Sequence, residues 1–290
     1  MQKKKIQKQT KPCASEPNFA HYFAGLWEGD GNVALKADRQ KVTLHITMSL
    51  DQSPLLAALL SKLRLKLTDH VGSVSLRPDN NSAVLNIVSF KSLTWAVNAL
   101  HGKCFSPKVY ALNKLTVWLR KNGAQVPEKL NTPVPFCSKT AWLAGFIDAD
   151  GSFGLDLRTH PRVKAACQFQ MNQRLFLRNT KLSYEPLFEA LGNFLHVKPK
   201  KIAEKNSGRV YLVLKGTSAK TKSVLQTYFK QHGLLSSKRL DYESWLKASK
   251  ILPHAKANLQ SLLDLKQTMN NNRTIYLWNH LKTKPALTQA

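Results

Sequence analysis

A nine-residue segment occurs twice in this chain. Residues 23–31 read Phe-Ala-Gly-Leu-Trp-Glu-Gly-Asp-Gly, and residues 143–151 read Leu-Ala-Gly-Phe-Ile-Asp-Ala-Asp-Gly. Position 143 lies 120 residues after position 23. An internal repeat constrains a fold strongly, because each copy is built as one supersecondary unit and the units then bury their shared faces. The surroundings repeat as well. Gln52 precedes an apolar run at 55–65, and Gln173 precedes another at 187–195. Late in each half a lysine, Lys108 or Lys238, stands before an aromatic-bearing helical stretch. Between the halves, 122–136 hold Gly123, Pro127, Pro133 and Pro135 and lack any period, which reads as a linker. The predicted organisation is a basic tail at 1–17, half-domains at 18–122 and 138–251, a linker at 123–137, and a helical extension at 252–290.

The strands are legible from their alternation. In 41–48 the odd positions are polar and the even ones, Val42, Leu44, Ile46 and Met48, apolar. In 162–171, Arg162, Lys164, Gln168 and Gln170 share one face, and Val163, Cys167, Phe169 and Met171 the other. The stretch 152–158 turns Phe153, Leu155 and Leu157 inward, and 209–215 does so with Val210, Leu212 and Leu214. A period of two with one apolar face predicts antiparallel sheets, covered by helices on one side and open on the other.

The repeated segment itself reads as a helix. Ser138 is a candidate N-cap in the second half and Ser15 or Asn18 in the first, with Gly31 and Gly151 as the stops. Ala24, Gly25 and Gly29, and likewise Ala144, Gly145 and Ala149, place small residues four and five apart. Such spacing lets two helices approach backbone to backbone, so the two copies are expected to pair. Pairing brings Asp30 and Asp150 together at two helix C-termini, where the dipole and the other carboxylate both oppose negative charge. Divalent cations relieve that conflict, and two acids holding Mg²⁺ in a basic groove is an arrangement for phosphodiester hydrolysis. Four of the 17 acids, Glu28, Asp30, Asp148 and Asp150, fall in these two segments. Glu28 and Asp148, two residues earlier on the helix, are expected to cap or pair at the seam rather than react.

The formal net charge is +27, from 44 Lys and Arg against 17 Asp and Glu. Such a charge opposes compaction, and it makes sense against a polyanion. No apolar stretch of about 18 residues exists, which argues against a membrane-spanning helix. No Cys-x-x-Cys pair occurs among the four cysteines, which argues against a structural zinc site. The open sheet faces carry Lys, Arg, Gln, Asn, His and Thr, the side chains that reach phosphates and base edges. Candidate DNA contacts are Asn32, Lys36, Lys41, Thr43, His45, Thr47, Ser73, Ser75 and Arg77 in the first half. In the second they are Ser152, Asp156, Arg158, Arg162, Lys164, Gln168, Gln170, Lys200, Lys201, Arg209 and Tyr211.

From residues 19 to 248 the sequence resembles the double-motif, single-chain LAGLIDADG homing endonucleases encoded in group I introns. The resemblance implies an α+β fold: two pseudo-symmetric αββαββα half-domains, antiparallel sheets forming a DNA-binding saddle, and two motif helices packed at the interface. It implies metal ligands at Asp30 and Asp150, joined by the carbonyls of Gly29 and Ala149, and a water-organising residue at Gln52 and Gln173. It implies a phosphate-polarising lysine at Lys238 and, less well matched, at Lys108. It further implies a monomer acting on double-stranded DNA with Mg²⁺ or Mn²⁺, Ca²⁺ binding without supporting cleavage, and an intron-borne gene of a mitochondrion or chloroplast. The alternatives are a maturase bound to group I intron RNA and a non-catalytic DNA-binding regulator. Intact Asp30 and Asp150 favour the nuclease. The first segment departs from the family pattern at Phe23, Trp27 and Glu28.

Overall fold

This computed structural model describes residues 19–36, 41–67 and 70–281. The tail at 1–17, the cap candidates Ser15 and Asn18, residues 282–290 and the side chains of Lys36 and Lys41 lie outside what it describes. The first half runs α1 (Phe19–Asp30), β1 (Gly31–Lys36), β2 (Lys41–Ser49), α2 (Ser53–Leu67), β3 (Gly72–Arg77), β4 (Ser82–Ile87), α3 (Phe90–Leu100) and α4 (Val109–Lys121). The second half repeats the order: α5 (Trp142–Asp150), β5 (Gly151–Arg158), β6 (Lys164–Arg174), α6 (Glu185–Leu195), β7 (Lys200–Ala203), β8 (Val210–Gly216), α7 (Ala219–Gln231) and α8 (Lys238–Ile251). A further helix, α9 (Leu259–Gln267), follows. The fold is α+β, with two antiparallel four-stranded sheets ordered β1-β2-β4-β3 and β5-β6-β8-β7. Each half is αββαββα followed by one more helix, α4 or α8, the aromatic-bearing helical stretch expected after each lysine. Lys108 is the N-cap of α4, and α8 begins at Lys238.

The sheets sit where alternation placed them. Val42, Leu44, Ile46 and Met48 are buried, as are Phe153, Phe169, Met171, Leu212 and Leu214. Strand β6 starts at Lys164, two residues later than its alternation suggests, because a bend carries Arg162. Helix α2 buries Leu55, Leu56, Leu59, Leu60, Leu63 and Leu67, one face at helical spacing against β3 and β4. Each such leucine contributes about 1.5–3 kcal/mol of transfer free energy.

Helices α1 and α5 pack against each other along their length. A Cβ built on Gly25 would lie 1.9 Å from the Trp142 carbonyl oxygen, and one on Gly145 would lie 2.0 Å from that of Tyr22. The backbones therefore touch, and only glycine fits at these two crossings. The termini differ from expectation. Helix α5 begins at Trp142, and Ser138 lies in the turn before it. The capping work falls to Tyr228, whose hydroxyl accepts from Ala144 N at 3.0 Å and donates to Thr140 O at 2.7 Å. Gly151 is extended (φ −86°, ψ 162°) rather than left-handed. Glycine is needed here for space, since a Cβ would meet Ile147 Cγ2 at 2.7 Å, and at Gly31 it would meet the Trp27 ring at 2.1 Å. The chain thus turns directly from motif helix into first strand.

Candidate active site at the helix seam

The packing that brings Gly25 and Gly145 together also joins the two helix ends. A Cβ on Gly29 would lie 2.1 Å from that of Ala149 and 3.3 Å from Asp150 Oδ2. Asp30 and Asp150 therefore share one pocket of charge. Burial, then the neighbouring Asp150, raises the Asp30 carboxyl from 3.8 to about 7, against the pull of Lys238 and Lys108. Burial likewise raises Asp150, opposed by Lys108 and Lys238.

The two lysines close over these ends. Lys108 Nζ donates to Gly29 O at 2.7 Å and Gly31 O at 3.0 Å. Lys238 Nζ donates to Ala149 O, and to Ile147 O at 3.2 Å. Cations at helix C-termini oppose the dipole favourably. Burial lowers the pKa of both ammonium groups, while the nearby carboxylates hold them up. Lys108 is placed as well as Lys238, although its sequence context matched less closely.

The two glutamines are not equivalents. Strand register pairs Gly31 with Ile46 and Gly151 with Met171, so the counterpart of Gln173 is Met48. Gln173 Nε2 donates to Asp150 Oδ2 at 2.9 Å, and its Oε1 accepts from Arg174 N at 2.9 Å. Gln52 lies in the turn beyond β2, and its Oε1 accepts from Ser237 N of the other half at 3.0 Å. Among the described residues no side chain donates a hydrogen bond to Asp30. The two acid sites therefore have the same acid and lysine, and among the described residues only Asp150 has an amide partner. Sequence spacing alone missed Met48, because both glutamines follow a strand at nearly the same offset.

Glu28 and Asp148 are buried acids in each half's frame. Glu28 accepts from Phe105 N at 2.9 Å, Ser106 N at 2.7 Å, Ser106 Oγ, and Trp142 Nε1 at 2.6 Å. Asp148 accepts from Leu235 N at 2.7 Å, Ser236 N at 3.2 Å, Ser236 Oγ, and Tyr22 Oη at 2.7 Å. Burial raises both carboxyls, Glu28 to about 7, and these donors oppose the shift.

The donor set suits a hard cation. It offers two carboxylates and two backbone carbonyls, all oxygen, with the lysine ammoniums on the carbonyls standing where a cation is stabilised. No cluster of three or more His, Cys, Asp or Glu able to hold a metal occurs among the described residues. The protein would thus supply a partial shell for Mg²⁺, of the kind that substrate phosphates complete.

The open sheet faces lie at the other level. In the first sheet Asn32, His45, Asn86 and Ser73 stand in one row across four strands, with Thr43, Thr47, Ser75 and Arg77 on the same face. Burial, then Arg77 and Lys108, lowers the His45 pKa, so its ring is neutral at pH 7. In the second sheet Ser152, Gln170 and Lys215 form one row, and Asp156, Arg158, Lys164, Gln168, Lys200 and Tyr211 share the face. Arg162 and Arg209 are exposed in the turns leading into β6 and β8. Asn86, Asn172 and Lys215, absent from the sequence expectation, belong to these faces by register. Lys201 does not. It pairs with the buried Leu212, and its ammonium bonds Glu185 of α6 at 2.6 Å, on the helix side. The parity of β7 is set by its pairing with β8, which its own four residues do not reveal.

Residues 143–249 match the family model described as LAGLIDADG endonuclease. The chain is 24% identical to the "Intron-encoded DNA endonuclease aI3" of Saccharomyces cerevisiae over 90% of its own length and 72% of that protein's. The solved structure of the LAGLIDADG homing endonuclease I-GzeII in complex with DNA target superposes at TM-score 0.64 and 14% identity, covering 89% of this chain and all of that one. I-SmaMI bound to uncleaved DNA target in the presence of calcium ions superposes at TM-score 0.61 and 19% identity, over 87% and 98% of the two chains. No helix among the described residues is long and apolar enough to cross a membrane. The chain thus matches the LAGLIDADG endonuclease family model over residues 143–249 and shares the fold of a solved LAGLIDADG homing endonuclease over 89% of its length.

Proposed function

We propose that this chain is a site-specific endonuclease that cuts both strands of a long double-stranded DNA site in a reaction that needs a divalent cation. One observation carries this reading: a single chain brings Asp30 and Asp150, each with its own lysine, to one seam between two sheets with polar, basic open faces. Both acids come from one chain, which supports action as a monomer. The net charge of +27 supplies sequence-independent attraction to phosphates. The intron-encoded relative supports a gene carried in an intron, and an organelle genome is the setting proposed for it.

Asp30 and Asp150, with the Gly29 and Ala149 carbonyls, would hold Mg²⁺ or Mn²⁺. A bound cation supplies charge stabilisation at the scissile phosphate and lowers the pKa of water. The chain's own residues do the positioning. Lys108 and Lys238 bring positive charge within reach of the backbone at each helix end and stabilise charge developing on phosphate oxygens. Gln173, fixed at both ends of its amide, keeps one N–H to orient water beside Asp150. The sheets hold the duplex in register through phosphate contacts and read bases through Asn, Gln, Arg and His. That I-SmaMI is bound to uncleaved DNA target in the presence of calcium ions agrees with the same role for Ca²⁺ here, binding without cleavage, which belongs to the proposal.

Cleavage of a randomised DNA library with Mg²⁺ tests the reading. One long site should be cut on both strands, and Asp30→Asn or Asp150→Asn should abolish the double-strand break while binding stays within about tenfold, or about 1.4 kcal/mol. Tight binding of group I intron RNA with no cutting in any divalent ion would replace the nuclease with the maturase.

A further inference from the structure

We infer that each half's lysine is positioned by a buried acid that is itself held by the other half's motif helix, so the two halves set each other's geometry. The circuit is closed in both halves. Glu28 accepts from Ser106 Oγ, Ser106 Oγ accepts from Lys108 N at 3.2 Å, and Lys108 Nζ returns to Gly29 O beside Glu28. Asp148, Ser236, Lys238 and Ala149 make the same ring, with Lys238 N on Ser236 Oγ at 3.1 Å. Each ring then receives one bond from across the seam. Trp142 Nε1 of α5 donates to Glu28, and Tyr22 Oη of α1 donates to Asp148.

Tyr22 and Trp142 stand in the same place before each motif, as do Glu28 and Asp148 within it. The chemistry differs, Tyr with Asp and Trp with Glu, while the connectivity is the same. Solvating a buried carboxylate does not require this. Ser106 and two backbone amides already give Glu28 three donors from its own half, and Ser236 with two amides does so for Asp148. The crossed donor adds a tie between one half's helix and the other half's lysine loop. Glu28 and Asp148 are therefore positioning residues acting through Ser106 and Ser236. Tyr22 and Trp142 are their partners in trans.

The kinetic arm of the test rests on the proposed nuclease activity, whereas the exchange arm does not. Tyr22→Phe and Trp142→Phe each delete one donor and keep a ring. Hydrogen exchange of the full chain should speed at Leu235 and Ser236 in Tyr22→Phe, and at Phe105 and Ser106 in Trp142→Phe, by about tenfold, leaving the other pair as in the parent. Speeding of both pairs in each variant, or of neither, would overturn the inference. Tyr22→Phe is nearly isosteric and decides alone if Trp142→Phe does not fold. On DNA labelled separately in each strand, Tyr22→Phe should slow the strand most affected by Lys238→Ala, and Trp142→Phe the strand most affected by Lys108→Ala. The reverse assignment would also overturn it. A protein that cuts nothing in any divalent ion refutes the nuclease reading, and the exchange pattern still decides this one.

Discussion

Replacing Gly145 with alanine adds one methyl group at one of the two backbone crossings of the seam. The new Cβ would stand 2.0 Å from Tyr22 O and 2.8 Å from Leu26 N, both backbone atoms of α1. A carbon meets a carbonyl oxygen comfortably at about 3.3 Å, so the helices must part by roughly 1 Å. Neither side can yield by changing a rotamer. Overpacking of this kind costs about 1–3 kcal/mol, with the backbone clash pointing to the upper end. The larger effect falls on chemistry. Asp30 and Asp150 hang from the two helices being parted, and a displacement of about 1 Å in a catalytic constellation costs on the order of a hundredfold in rate. Urea denaturation and cleavage measured on the same preparation separate the two losses. A Gly145→Ala protein within about 0.5 kcal/mol of the parent, a shift typical of neutral surface changes, would refute the backbone-contact argument. A destabilised protein that cuts at the parental rate would refute the link from seam to acids.

An amide at one acid and Met48 at the other predict unequal strands: Gln173→Ala should slow one strand about tenfold or more, and Met48→Gln should speed the other, as read from nicked intermediates on strand-labelled DNA. Asp30 binds its proton in the fold up to about pH 7 but releases it near 3.8 when unconstrained. The native state therefore holds the extra proton between those values, and metal-free stability should fall as pH rises through that window. Denaturation at pH 5 and pH 8 checks this, and Asp30→Asn should remove the contribution. Lys200→Ala should reduce the salt slope of DNA binding by about 1, whereas Lys201→Ala, bound to Glu185, should leave it unchanged. Asp241→Ala strands Arg273, whose Nη2 sits 2.6 Å from that carboxylate, and removing one partner of a buried pair costs about 3–5 kcal/mol in urea denaturation.

Much of the architecture is legible because it rests on two local signals. Alternation at 41–48 and 152–158 identifies strands and their buried faces without tertiary information. Small residues at Gly25 and Gly145 identify the helix faces that meet. What is not legible depends on register and on distant partners. Met48 stands where the other half has Gln173 because β1 pairs Gly31 with Ile46, a fact about two strands and not about either. Lys201 turns away from the open face because β8 dictates the parity of β7. The N-terminal end of α5 looks like a serine cap and is instead served by Tyr228, 84 residues from the Ala144 amide it accepts. Ser106 and Ser236 precede the lysines by two residues in both halves, a repeat that is visible in the sequence but gains meaning only from the acids above them.

The ammonium groups on the Gly29 and Ala149 carbonyls bear on how such a protein rests between encounters. Lys108 and Lys238 act as built-in counter-ions, so two adjacent acids can be tolerated without borrowed charge. A free cation must then displace or crowd a tethered one, and it meets no phosphate to complete its shell. On the nuclease reading proposed above, loading would depend on DNA, whose phosphates would supply the missing oxygens. The same reading predicts a thermal midpoint nearly indifferent to millimolar Mg²⁺ until a target DNA is added.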